Sequence, residues 1–219
     1  MLALYYIRLS EFPEDMPDSS TCPKVRREKR VGRLLLRFVL KRYFHLDSEC
    51  VSLYTNEHGK PYLKGFPLFF NLSHSGDWLV CAFSDTEVGA DIEKIGVPRL
   101  AVAKRFFHPR EFLAVSNAPE AECAELFFRY WSGKESVLKY TGSGLAGSLS
   151  SFYIEWDDKP GVAVYKESGK LPLFLHKCEV DENYQCFICS QQNTVPELHL
   201  LTRRELEELF PANQSNLLL

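Results

Sequence analysis

Residues 121–140 have helical spacing and end at Gly142 and Gly144, two residues suited to stopping a helix. Phe127, Phe128, Trp131 and Leu138 distribute apolar groups around this run. The segment therefore predicts a long helix covered over much of its circumference, which requires other elements packed around it. Glu135 and Lys139 are four residues apart, about 6 Å along one helix face. Trp131 lies one turn earlier on the same face. On an exposed helix such a pair is routine, worth about 0.3–0.5 kcal/mol. On a covered helix, Glu135 needs a partner.

A second pattern offers one. Gly89-Ala90-Asp91-Ile92-Glu93 reads as a strand, in which alternate residues share a face. Val88, Ala90 and Ile92 can pack into a core, and Gly89, Asp91 and Glu93 then face the other way. Gly89 leaves room for a close approach. Asp91, Glu93 and Glu135 together form an oxygen-only donor set of the kind that holds Mg²⁺, which takes its other ligands from water and substrate phosphate. The sequence offers no Cys/His cluster that would favour zinc.

The chain has 219 residues, enough for one large domain or two small ones. Its net charge of −3 hides a basic stretch at 24–42 and acidic stretches at 120–125 and 205–208. A basic segment on a mildly acidic protein points to a local anion site and away from nucleic-acid binding. No apolar run approaches the roughly 18 residues of a membrane span. The first seven residues read as a strand and not as a signal segment. Seven scattered cysteines suggest free thiols in a reducing, cytoplasmic setting.

Strands are expected at 2–9, 50–55, 78–83 and 87–93, the last two joined as a hairpin through Ser84-Asp85-Thr86. A basic helix is expected at 24–44. Residues 13–23 read as a loop. Gly96-Val97-Pro98 breaks the pattern as a candidate linker. Beyond it, helices are expected at 100–107, 109–115 and 121–140. Strands follow near 152–156, 162–165, 171–180 and 184–190. Thr202 and Glu205 form a capping box that opens a last helix, and 213–219 should fray. The fold class is α+β, with an N-terminal subdomain at 1–98 and a C-terminal one at 99–219.

Residues 69–78 read as a small-residue loop. Its Ser73, His74 and Ser75, with backbone N–H groups, are suitable phosphate ligands. Gly59-Lys60-Pro61 adds a flexible turn and a cation, and Arg26, Lys29 and Arg30 could neutralise a further phosphate.

Three ordered blocks resemble the 4′-phosphopantetheinyl transferases, specifically the larger monomeric type. They are Gly59-Lys60-Pro61 with Asn71-Leu72-Ser73-His74-Ser75-Gly76; Gly89-Ala90-Asp91-Ile92-Glu93; and Trp131-Ser132-Gly133-Lys134-Glu135-Ser136-Val137-Leu138-Lys139 with Gly142, Gly144 and Leu145. The resemblance implies a pseudodimer of two similar halves with coenzyme A between them. It implies Mg²⁺-dependent transfer of the phosphopantetheine arm to a serine of an apo carrier protein, releasing 3′,5′-ADP. Asp91, Glu93 and Glu135 match the metal ligands, and Lys139 the lysine near the pyrophosphate. Ser73 and His74 match phosphate contacts, and Lys60 with Pro61 the wall near the nucleotide. Glu135, directly or through a water it orients, is the expected base. Which of Arg26, Lys29 and Arg30 meets the 3′-phosphate stays open, because the segment before the helix is compact for the family. Residues 106–115, with Arg105 and Arg110, are the expected carrier contact.

Other readings are weaker. A serine hydrolase could be drawn from Ser73, His74 and Asp91, but adjacent residues of an extended segment point apart, and no nucleophile elbow exists. Cys186-Phe187-Ile188-Cys189 lacks the second pair that zinc would need. A coenzyme-A-binding scaffold without chemistry would be expected to lose some of Asp91, Glu93, Glu135 and Lys139.

Overall fold

The computed structural model describes residues 1–13, 23–46, 51–144, 148–156 and 161–210. The expected loop at 13–23 and the fraying at 213–219 lie almost wholly or wholly outside them, as does Leu145. Two sheets pack face to face, with a helix on each outer side. The first sheet has the order β11(Glu197–Leu200), β1(Leu2–Arg8), β5(Trp78–Ser84), β4(Phe69–Ser75). The second has the order β6(Val88–Lys94), β10(Tyr184–Ser190), β9(Gly169–Lys177), β8(Val162–Lys166), β7(Tyr153–Ile154). A small pair, β2(Leu53–Thr55) with β3(Pro61–Leu63), stands apart.

Strand periodicity builds these layers. In β1, Ala3, Tyr5 and Ile7 face α1(Pro23–Phe44), where Val31, Leu35, Phe38 and Val39 complete a core. Leu2 and Leu4 point the other way and meet Val88, Ala90 and Ile92 of β6 between the sheets. A third core lies between the second sheet and α2(Leu100–Phe106), α3(Pro109–Ser116) and α4(Glu120–Thr141). The halves share a local order. β1-β5-β4 with α1 matches β6-β10-β9 with α4, a strand, helix and hairpin in each. This is the expected α+β class. Among the described residues every ladder is antiparallel except β1–β11, where the returning chain adds a parallel edge.

Three local expectations change. Residues 69–75 are strand β4 and not a loop, because the polar side chains of alternate residues find partners on β6. The segments at 78–84 and 88–94 are not a hairpin. Both edges of β5 are occupied, by β1 and β4, so β6 pairs with β10 instead. The change of sheet falls before β6, whereas the Gly96–Pro98 break falls after it. The chain also returns to the first sheet through β11 and α5(Arg203–Leu209), whose Thr202–Glu205 capping box forms as expected. Among the described residues, no helix is long and apolar enough to cross a membrane. The five described cysteines are free thiols. Cys186 and Cys189 enter different cores from opposite faces of β10, so they cannot share an ion.

Candidate active site

The polar face of β6 lies under α4. At Gly89 the approach is between backbones: a Cβ there would fall 2.1 Å from the Ser136 carbonyl and 2.2 Å from the Tyr140 nitrogen. One turn along, the Ser132 hydroxyl donates to the Asp91 carbonyl at 3.0 Å. These contacts set α4 so that Glu135 and Lys139 overlook Asp91 and Glu93. The Lys139 ammonium stands 2.6 Å from Asp91 Oδ1 and 2.9 Å from the Ser73 hydroxyl. Asp91 is 3% exposed, and its Oδ2 is buried without a hydrogen-bond partner.

The other wall is β4, whose alternate side chains stand in for a backbone ladder. Asn71 Oδ1 accepts from Ala90 N at 2.9 Å, Ser73 Oγ from Ile92 N at 3.3 Å and Ser75 Oγ from Lys94 N at 3.1 Å. Ser73 also donates to Asp91 Oδ1 at 2.9 Å, and Ser75 to Glu93 Oε2 at 2.8 Å. The seam between the sheets is thus closed by three short polar side chains. Two of them aim the carboxylates.

Crowding acidic groups in a covered site shifts their protonation. Burial raises the Glu93 pKa, and the Asp91 charge raises it further. The Ser75 hydroxyl, the Trp131 indole and Lys139 partly oppose this. Glu135 is likewise raised, first by burial and then by Asp91, with Lys139 opposing. Three carboxylates against one ammonium leave the site short of positive charge.

The cleft has two adjoining chambers of about 280 Å³ each. Leu72, Glu135 and Lys139 line both. One adds Ser73, His74, Asp91, Glu93 and Trp131; the other adds His58, Gly59, Lys60, Pro61 and Asn71 among its walls. Beyond Glu93 and Trp131 a hollow of about 530 Å³ lies toward α2, with Val97, Val102, Phe127 and Phe128 as apolar walls and Lys94 and Arg99 as charged ones. As the side chains stand, no three described Asp, Glu, His or Cys groups converge closely enough to ligate one ion.

The structure therefore brings Asp91, Glu93, Glu135 and Lys139 together, with Gly59, Lys60, Pro61, Ser73 and His74 around the same cleft. The hydroxyls of Ser73 and Ser75 are engaged in the seam. His74 points from the opposite face of β4, half-exposed, 3.6 Å from Glu28 of α1. Ser73 and His74 thus diverge, and no hydrolase triad forms. Lys60 contributes its aliphatic stem to the wall while its ammonium is buried elsewhere. Arg26, Lys29 and Arg30 lie on α1 and line neither chamber; Arg30 donates to the Pro13 carbonyl at 3.0 Å. Sequence reasoning named Asn71 and Ser132 only within the blocks of the resemblance and gave them no role in the site. The alternation Asn71, Ser73, Ser75 was the available signal for the first.

Two family models match the chain. One described as the 4′-phosphopantetheinyl transferase superfamily spans residues 87–189, and one described as 4′-phosphopantetheinyl transferase, N-terminal, spans 21–86. The boundary between them falls where the chain changes sheet. Curated relatives agree. The 4′-phosphopantetheinyl transferase gsp of Aneurinibacillus migulanus is 34% identical, over 82% of this chain and 74% of that protein. The 4′-phosphopantetheinyl transferase Sfp of Bacillus subtilis (strain 168) is 34% identical over 76% of this chain and 75% of that protein. The 4′-phosphopantetheinyl transferase HetI of Nostoc sp. is 37% identical over 57% of this chain and 55% of that protein.

Proposed function

The chain belongs to the 4′-phosphopantetheinyl transferase superfamily, and from that premise we propose that it moves the phosphopantetheine arm of coenzyme A onto a serine of an apo carrier protein. The observation that carries this reading is the meeting of Asp91 and Glu93 from one strand with Glu135 and Lys139 from one helix, in a cleft between two sheets.

A hard divalent cation fits the donors. They are all oxygen, Asp91 keeps a buried unpartnered Oδ2, and the raised values of Glu93 and Glu135 reflect burial first and the Asp91 charge second, both of which a cation would offset. Asp91, Glu93 and Glu135 would hold it, after side-chain rotation on a fixed backbone. When bound, Mg²⁺ would supply neutralisation of charge on the pyrophosphate.

Coenzyme A would lie across both chambers, its pyrophosphate at Glu135 and Lys139, the charged groups common to both. The nucleotide end would lie toward Gly59 and Pro61, and the arm toward the hollow beyond Glu93 and Trp131. The carrier serine oxygen forms a bond to the phosphorus that bears the arm, and the bond from that phosphorus to the bridging oxygen breaks. The departing oxygens belong to 3′,5′-ADP. Glu135, directly or through a water it orients, would take the serine proton. Lys139 is placed to donate to the leaving phosphate. His74, beside α1, offers a donor for the remaining phosphate, with Arg26 or Lys29 as candidates further along that helix. Exposed Leu100, Phe106 and Leu113, with Arg105 and Arg110, give the carrier an apolar and basic landing on α2 and α3.

Purified protein incubated with coenzyme A, Mg²⁺ and several apo carriers should add one phosphopantetheine mass to at least one of them. The gain should vanish with EDTA and in Glu135→Ala. Coenzyme A binding without mass gain on any carrier would favour a scaffold, and absence of both would remove the reading.

A further inference from the structure

The Lys60 ammonium has three hydrogens and three acceptors, none of them in the cleft. They are Glu87 Oε1, the Val88 carbonyl at 2.9 Å and the Tyr140 carbonyl at 3.0 Å. Its side chain is 5% exposed. Tyr140 lies in the last turn of α4, where carbonyls lack helical partners and a cation complements the dipole. Asn56 takes another carbonyl of that end, its Nδ2 donating to Gly142 O at 2.9 Å. Asn56 Oδ1 accepts from His58 N and Lys60 N, and the Asn56 and Lys60 backbones bond at 3.0 Å. Gly142 has φ +64°, and a Cβ there would come within 2.8 Å of Asn56 Nδ2. A turn of the first half therefore grips the end of the helix that carries Glu135 and Lys139 in the second. The same turn forms one wall of the cleft.

We infer that Lys60 and Asn56 are positioning residues: they fix the C-terminal end of α4, and so set Lys139 and Glu135 against Asp91 and Glu93. Lys60 does this in place of binding a substrate phosphate. To reach the cleft its ammonium would have to abandon Glu87 and two carbonyls. The inference rests on the transferase reading, so its test includes a readout that needs no reaction.

Lys60→Met keeps the stem and removes the grip. Amide exchange at 139–142 should accelerate by about tenfold or more, and kcat should fall by a similar factor, the effect of losing a buried charged hydrogen bond. Coenzyme A affinity by calorimetry should stay within about threefold, since no direct contact is lost. Glu87→Gln added to Lys60→Met should recover part of kcat by removing the stranded carboxylate. Should Lys60→Met fail to fold, Asn56→Ala tests the same grip at Gly142, with the same pattern and smaller size. Coenzyme A affinity that falls in step with kcat, with exchange at 139–142 unchanged, would make Lys60 a ligand and overturn the proposal. If the wild type transfers nothing, the transferase reading falls, while the grip on α4 is still decided by exchange.

Discussion

The two halves place equivalent strands under equivalent helices and fill the interface in opposite ways. Under α1, β1 presents Ala3, Tyr5 and Ile7; under α4, β6 presents Gly89, Asp91 and Glu93. The first interface is apolar, with aromatic rings as spacers: Tyr5 meets Phe83 at 5.7 Å and Tyr43 at 4.9 Å between centroids. In the second, the spacer is gone at Gly89, the helix touches the strand, and charge lines the gap beside it. One half is a scaffold, and its counterpart has exchanged apolar filling for a polar site. The exchange has a cost, seen in the raised carboxylates and the unpartnered Asp91 oxygen.

On its other side α4 carries a second buried charge pair, which ties it to its neighbours. Lys134, fully buried, pairs with buried Glu111 at 2.7 Å and donates to the Phe152 carbonyl at 2.7 Å. Glu111 also accepts from Ile154 N and His108 N, tying α3 and β7 to α4. Lys134→Met strands Glu111 and should destabilise by about 3–5 kcal/mol in denaturant titration. Lys139→Met also unpairs buried Asp91, but Asp91 keeps the Ser73 hydroxyl and the lysine is 29% exposed, so stability should fall less while most turnover is lost. Equal stability losses would mean that the two lysines do not divide into anchor and site.

Gly89→Ala comes next. The added carbon meets helix backbone and cannot be relieved by a rotamer change, so the cost should lie near the upper end for overpacking, about 3 kcal/mol. Displacing α4 by about 1 Å should lower turnover by about a hundredfold. A variant of wild-type stability and rate would show that α4 does not need its close seat on β6.

The acidic site can be tested through pH. Glu93 and Glu135 have values above the usual 4.5, so each favours the folded state fully below that value. The benefit is lost as pH rises through the raised values. With chelator present, wild-type stability should therefore fall, relative to Glu93→Gln/Glu135→Gln, from about pH 4.5 toward neutrality. Adding Mg²⁺ at pH 7 should stabilise the wild type and leave the variant unchanged. Parallel pH profiles would mean that these carboxylates are not strained by their surroundings.

Much of this contrast was legible in the sequence, and the limits have physical causes. The 3.6-residue spacing marked both long helices, and the strand alternation at Gly89, Asp91 and Glu93 announced a polar face with room for a close neighbour. That the neighbour is α4 itself depends on tertiary packing. Pairing was less legible because it depends on which edges are free. Ser84-Asp85-Thr86 has hairpin chemistry, yet β5 has no edge left to offer. β4 resembled a loop because Asn71, Ser73 and Ser75 are loop residues by composition. Their work as a side-chain ladder to β6 is visible only once both sheets are in place. Lys60 showed a similar limit: the sequence offered it as a cation on the wall near the nucleotide, and only the partners around its ammonium reveal its direction.

The smallest expected effect lies in the scaffold half, at Gly32 of α1. A Cβ added there would sit 3.5 Å from Leu79 Cδ1, an ordinary contact, in contrast to the collision at Gly89. Gly32 is inside a helix, where alanine is favoured over glycine by about 0.8–1.0 kcal/mol. Gly32→Ala should therefore raise stability by slightly less than that, measured as a higher denaturant midpoint with an unchanged slope. Turnover should not move, because α1 keeps its seat and the groups on α4 are untouched. The same substitution thus changes sign between the halves, stabilising under α1 and destabilising under β6's partner helix. A stability loss at Gly32 would show that the scaffold interface is as tight as the catalytic one. The absence of spacers at Gly89 could then no longer be read as the mark of the active half.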